Sequence, residues 1–208
     1  MKDFSIPMAL LDLVPVIFFA IAAIMLQRAL YSKMSKGAFA LFAAGTIDII
    51  IVGFLKAIYK FLYAAGICDS QALCTLQFPA MSIGFLLAGI GLVAMLVHNQ
   101  NEDKALCAAL PVISGVPIFV SIMIVGLFCM TVVLSIIAFR LKKPLAIFFF
   151  VVSFVASLAM GYLSSKDFCA SHMNWIAEVI NICGQLSFLL GVILLKRAGL
   201  AKLIITHK

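Results

Sequence analysis

Apolar positions along this chain of 208 residues come in runs of about twenty or more, separated by short polar connections, rather than in the one-sided stripes of a soluble helix. Six runs stand out: Met8 to Leu30, Ala38 to Ala64, Phe78 to Val97, Ala105 to Phe139, Leu145 to Leu163 and Met173 to Leu195. A hydrocarbon core about 30 Å thick takes roughly 20 residues of helix, so each run predicts a membrane-spanning helix. The connections leave no room for a soluble domain. The expected fold is an all-α, multi-pass transmembrane bundle forming a single domain over residues 1–208.

The fourth run is too long. Its 35 residues would make a helix of about 52 Å, and Pro111, Ser114, Gly115 and Pro117 interrupt it. Undivided, the chain crosses six times; divided, it crosses seven times, with a short broken pass in 104–117. A leg that short needs shielding by other helices, because unpaired backbone groups cannot face lipid. The distribution of positive charge favours seven. With the N-terminus outside, Arg28, Lys33, Lys36, Lys104, Arg140, Lys142, Lys143, Lys196, Arg197, Lys202 and Lys208 all fall inside, leaving only Lys2, Lys56, Lys60 and Lys166 elsewhere. This arrangement puts the C-terminus in the cytoplasm and suits a plasma (inner) membrane protein.

A faint repeat agrees. Val14-Pro15-Val16-Ile17-Phe18 resembles Val116-Pro117-Ile118-Phe119, the Cys68 loop resembles the Cys169 loop, and Phe85-Leu86-Leu87-Ala88-Gly89 resembles Phe188-Leu189-Leu190-Gly191, at offsets of 102, 101 and 103. These matches outline a duplicated three-helix unit, residues 7–97 and 110–197. Parallel units require an extra crossing between them. That plan is similar, in helix count and parity alone, to the small sugar and amino-acid transporters with PQ loops. The Pro-Gln motif of that group does not occur here, and no residue role carries over from it.

Composition sets limits on function. The chain is 65% hydrophobic and 11% charged, too apolar for a soluble globule. Its net charge of +7 is spread over short loops, which suits anionic lipid headgroups and not nucleic acid. The first residues lack the pattern of a cleaved secretory signal, so the first run is expected to remain as a helix. Cys107, Cys129 and Cys183 lie in apolar runs and read as packing residues. Cys68 and Cys74 are the nearest pair for a disulfide if their loop faces an oxidising compartment.

Charges within the runs are the candidates for chemistry, since one at the centre of a membrane helix costs roughly 2.5 to 3.5 kcal/mol on insertion scales. Asp48 is deep in the second run, followed by Ile49, Ile50, Ile51 and Val52. Lys56, Tyr59, Lys60 and Tyr63 follow it at helical spacing, either snorkelling to the interface or paired. In the seven-pass arrangement Asp12 and Glu178 share a leaflet with Lys56 and Lys60, so two acids can offset two bases. Asn174, Glu178, Asn181 and Gln185 form one stripe on the last helix, which suits interhelical hydrogen bonds or the wall of a cavity.

The motifs of metal hydrolysis, phosphoryl transfer and dinucleotide binding do not occur, and no catalytic residue, metal site or cofactor is expected. The leading functional reading is binding or transport of a small polar or amphipathic solute, with Asp12, Asp48, Lys56, Tyr59, Lys60, Glu178, Asn181 and Gln185 as candidate ligand residues. In that reading the lysines meet an anionic group and the amides fix orientation. The alternatives are a membrane sensor or a non-transporting subunit, acting through a membrane protein partner or a homo-oligomer, and an intramembrane enzyme using Glu178 or Asp48 as acid or base.

Overall fold

A computed structural model of the chain describes residues 5–97, 116–164 and 171–203, and of residues 71, 74, 75, 116, 117, 164 and 171–173 the backbone alone. Its helices are α1 (Ile6–Leu11), α2 (Leu13–Leu30), α3 (Lys36–Ala64), α4 (Gln71–Val97), α5 (Val116–Arg140), α6 (Pro144–Ser164) and α7 (Ser171–Arg197). No strand occurs among the described residues. With α1 and α2 joined end to end, six helices are long and apolar enough to cross a membrane. Of the overlong fourth run, α5 is the second part; the expected short pass lies in 104–117, which reaches only the first turn of α5 and otherwise lies outside the described residues.

Local chemistry explains where the helices break. Pro15 has no N–H to offer the carbonyl of Leu11, and the chain loosens one residue later, at Asp12, between α1 and α2. Ser35 caps α3 by accepting a hydrogen bond from Ala38 N–H at 3.3 Å. At the other end of α3, Gly66 takes the left-handed conformation at φ 69°, so that Ile67 N–H donates to Leu62 O and Gly66 N–H to Tyr63 O, both at 3.0 Å. The turn from α5 to α6 repeats this geometry with Lys142 at φ 54°, and Pro144 opens α6.

The helix directions follow from neighbouring residues. Helices α3 and α4 are antiparallel: a Cβ on Gly45 would stand 2.4 Å from Gly84 O, and one on Gly91 would stand 2.7 Å from Ala38 O. Helices α5 and α6 are also antiparallel, with Phe128 against Phe154 at 6.0 Å. Helices α4 and α5 point the same way. Gly126 faces Phe85 while Gly89 faces Gly126 and Cys129, and Met81 in the first half of α4 shares a cavity with Met123 in the first half of α5. The start of α1, the end of α3, the starts of α4, α5 and α7 and the end of α6 therefore meet at one end of the bundle. The residues after α2, α5 and α7 meet at the other.

Each close approach needs a glycine, since the backbones of α3 and α4, and of α4 and α5, come too near for any side chain. A buried aromatic cluster joins the two halves of the chain: Phe19 lies 6.2 Å from Phe85 and 5.7 Å from Phe188, which lies 5.9 Å from Phe150. Outward faces are apolar as well. Ile17, Ile21 and Ile24 on α2, and Val125, Phe128, Val132 and Ile136 on α5, are exposed at helical spacing, the surface that a bilayer covers.

Candidate functional site

A cavity of about 340 Å³ occupies the half of the bundle where α3 ends and α7 begins. Its volume falls in the usual range of ligand pockets, roughly 300 to 1,000 Å³. Four charged groups form its polar end. Lys56 Nζ is 3.1 Å from Asp12 Oδ1 and 3.9 Å from Glu178 Oε1; Lys60 Nζ is 3.0 Å from Asp12 Oδ2 and 2.5 Å from Glu178 Oε1. The contact of Asp12 Oδ2 with Lys60 is ionic only, without hydrogen-bond alignment.

The exposures of these side chains are 2% for Asp12, 1% for Glu178, 9% for Lys60 and 16% for Lys56, so each charge is largely removed from solvent. The tetrad is balanced: two acids and two bases compensate each other's desolvation. The loosened turn before Pro15 positions Asp12, and the i to i+4 spacing of Lys56 and Lys60 puts both ammonium groups on one face of α3. Nearby, the hydroxyl of the buried Tyr59 donates to Asp69 Oδ1 at 3.1 Å, tying the loop after α3 to the cavity wall.

All four members of the α7 stripe, Asn174, Glu178, Asn181 and Gln185, line the cavity. From Asn174 to Gln185 the stripe runs about 16 Å, half the thickness of a bilayer core. Facing it is a mainly apolar wall of Phe78, Met81 and Phe85 from α4, Met123 and Leu127 from α5 and Met160 from α6, with Gln77 and Ser157 as its polar members. Methionine suits such a wall because its flexible thioether adapts to what it touches. Below the cavity, Phe19, Phe85 and Phe188 border a second pocket of only about 20 Å³, lined also by Ser153, Ser157 and Gln185.

Of the sequence candidates, Asp12, Lys56, Tyr59, Lys60, Glu178, Asn181 and Gln185 meet at this cavity. Asp48 stands apart, in the seam between α3 and α4. A Cβ on Gly84 would lie 2.6 Å from Asp48 Oδ2, so the missing side chain of Gly84 makes room for the carboxylate. Cys68 is a free, exposed thiol, and the side chain of Cys74 lies outside the described residues. Sequence reasoning missed Gln77, Met81, Phe85, Met123, Ser157 and Met160. Met81, Phe85, Met123, Ser157 and Met160 lie within apolar runs and look like ordinary core, and Gln77 lies just before the third run.

Fold and site together describe an integral membrane protein, a helical bundle in contact with lipid, with a half-polar cavity inside it. The chain matches no family profile, no curated protein and no solved structure.

Proposed function

We propose that this protein binds and carries a small amphipathic solute in the cavity between α7 and the methionine wall. The observation behind this reading is the division of the cavity: charged groups and amides on one side, Phe78, Met81, Phe85, Met123 and Met160 on the other. A purely polar solute would leave the second wall unsatisfied, and a purely apolar one would strand the first.

In the proposed arrangement the chain is a duplicated three-helix unit with seven crossings. Support comes from the parallel directions of α4 and α5, which require the connection from Val97 to Val116 to return from one end of the bundle to the other. Arg28, Lys33, Lys36, Arg140, Lys142, Lys143, Lys196, Arg197 and Lys202 all gather at the end away from the cavity, with no acidic residue there among the described residues. By the positive-inside rule that end is cytoplasmic, and the cavity lies in the outer half of the membrane.

A cysteine-labelling experiment tests the cavity. With native cysteines replaced, Asn181→Cys should react with a small, membrane-impermeant thiol reagent added from outside. Gly161→Phe should block that reaction, because Gly161 lines the cavity and a side chain starting there meets nothing within 4 Å. An unreactive Asn181→Cys would mean a closed, packed core and would sink the proposal. Reporters at the two termini test the topology: opposite sides support seven crossings, and the same side rules them out.

A further inference from the structure

The polar end of the cavity also bears on what the solute must carry. Glu178 is 1% exposed and lines the cavity, yet its Oε2 has no hydrogen-bond partner among the described residues, both lysines being held by Oε1. A buried carboxylate oxygen left unpaired costs free energy, and only a donor can satisfy it. Beside it, Lys56 Nζ makes one hydrogen bond among the described residues, to Asp12 Oδ1 at 3.1 Å, although an ammonium carries three donors. Lys56 is also the most exposed of the four charged groups. An unused acceptor and an unused donor therefore stand side by side, and the four protein charges sum to zero.

We infer that the solute's head group is zwitterionic: a primary ammonium meeting Glu178 Oε2 and an anionic group meeting Lys56 Nζ, with an apolar body against the methionine wall. The inference rests on the proposed solute-binding role and narrows it. A bare anion would satisfy Lys56 but bring its charge to Glu178 and Asp12. A bare cation would satisfy Glu178 but leave a net charge in a poorly solvated site, which is costly. A zwitterion completes both partners and adds no net charge. Free amphipathic amino acids and ethanolamine lipids share this head-group chemistry.

Binding measured calorimetrically in nanodiscs, against empty nanodiscs, tests the inference with four probes of similar tail: 2-aminooctanoate, its N-trimethyl derivative, octanoate and heptylamine. The expected result is that 2-aminooctanoate binds at least about tenfold more tightly than any of the other three, because a site built around hydrogen-bonding partners rejects analogues that lack them. The trimethyl derivative matters most, since it keeps both charges and loses every N–H donor. Lysophosphatidylethanolamine serves as a fifth probe. Tighter binding by it than by 2-aminooctanoate assigns the site to a lipid, and weaker binding assigns it to a free zwitterion.

Glu178→Gln should erase the preference for 2-aminooctanoate over octanoate by removing the negative partner of the ammonium. The comparison on the unmodified protein decides the matter even if that variant does not fold. Equal binding of octanoate or the trimethyl derivative overturns the zwitterion while leaving the solute cavity intact; such equality would follow if Glu178 were satisfied by its own proton. Binding of no probe, in a protein whose Asn181→Cys variant labels, overturns the zwitterion alone. Failure of both experiments overturns the cavity reading as well.

Discussion

The two ends of the bundle use charge in opposite ways. At the end where α2, α5 and α7 finish, basic residues sit on an exposed rim, and only Lys33 is half-buried, donating to Leu203 O. Beneath that rim the interior is apolar and buried, with Leu30, Leu92, Leu134 and Leu195 at 0% exposure and Met95, Ile137 and Leu200 at 1%. At the other end the charges are buried, paired and set around open space. Rim charges that stand exposed keep their hydration, so losing one strands no buried partner. Tetrad charges have given up water for one another, so none can be lost alone.

The largest expected effect comes from breaking the tetrad. Lys60→Met leaves Asp12 and Glu178 sharing a single cation in a buried site and should destabilise the fold by about 3 to 5 kcal/mol. Equilibrium unfolding in mixed micelles measures this. Adding Glu178→Gln to the Lys60→Met variant should recover much of the loss, as the charges balance again. On the rim, Lys196→Met should leave the unfolding transition where it is. A tetrad variant as mild as the rim variant would show that the buried charges are hydrated and would erase the contrast.

A second test compares packing. Leu134→Ala at the buried end removes a fully enclosed side chain and should cost about 2 to 3 kcal/mol, near the low end for buried leucines because the unfolded side chain stays in lipid. Met81→Ala in the wall of the cavity enlarges a space already present and should cost under about 1 kcal/mol. If the two cost the same, the cavity is filled in the folded protein, and something other than the chain fills it.

Much of this contrast was legible in the sequence. The six apolar runs identified the spanning helices, because burying about twenty residues in hydrocarbon leaves few alternatives to a helix. Asp12, Lys56, Lys60 and Glu178 were recognisable as partners, since charge within an apolar run demands compensation. The apolar wall was not legible: Met81, Met123 and Met160 are apolar residues among apolar residues, and nothing in their spacing separates a cavity face from a packed or lipid-facing one. Asp48 is the reverse case. Its depth in the run marked it as strongly as Lys60, but its surroundings depend on Gly84, a residue of the neighbouring helix 36 positions away. The start of α4 at Gln71 rather than Phe78 was hidden for a simpler reason: its first turns lie beyond the continuous apolar run, where hydropathy carries no signal.

The smallest expected effect concerns two turns of the same geometry at opposite ends. Beside the cavity, α3 ends on Gly66 in the left-handed region; on the basic rim, α5 ends on Lys142 in that region, with Lys143 N–H donating to Ala138 O at 2.9 Å. A side chain with a Cβ pays about 1 kcal/mol for that conformation and glycine does not. Lys142→Gly should therefore stabilise the protein by about 1 kcal/mol, whereas Gly66→Ala should destabilise it by a similar amount. The rim keeps a strained lysine where a glycine would fit better, which is reasonable if positive charge there guides insertion. With eight other basic residues at that end among the described residues, Lys142→Gly alone should leave orientation unchanged in a terminal-reporter assay. A stabilised Lys142→Gly that inserts with mixed orientation would show that the charge, not the turn, determines the residue at this position. A Lys142→Gly with no gain in stability would show that the lysine side chain makes compensating contacts on the rim.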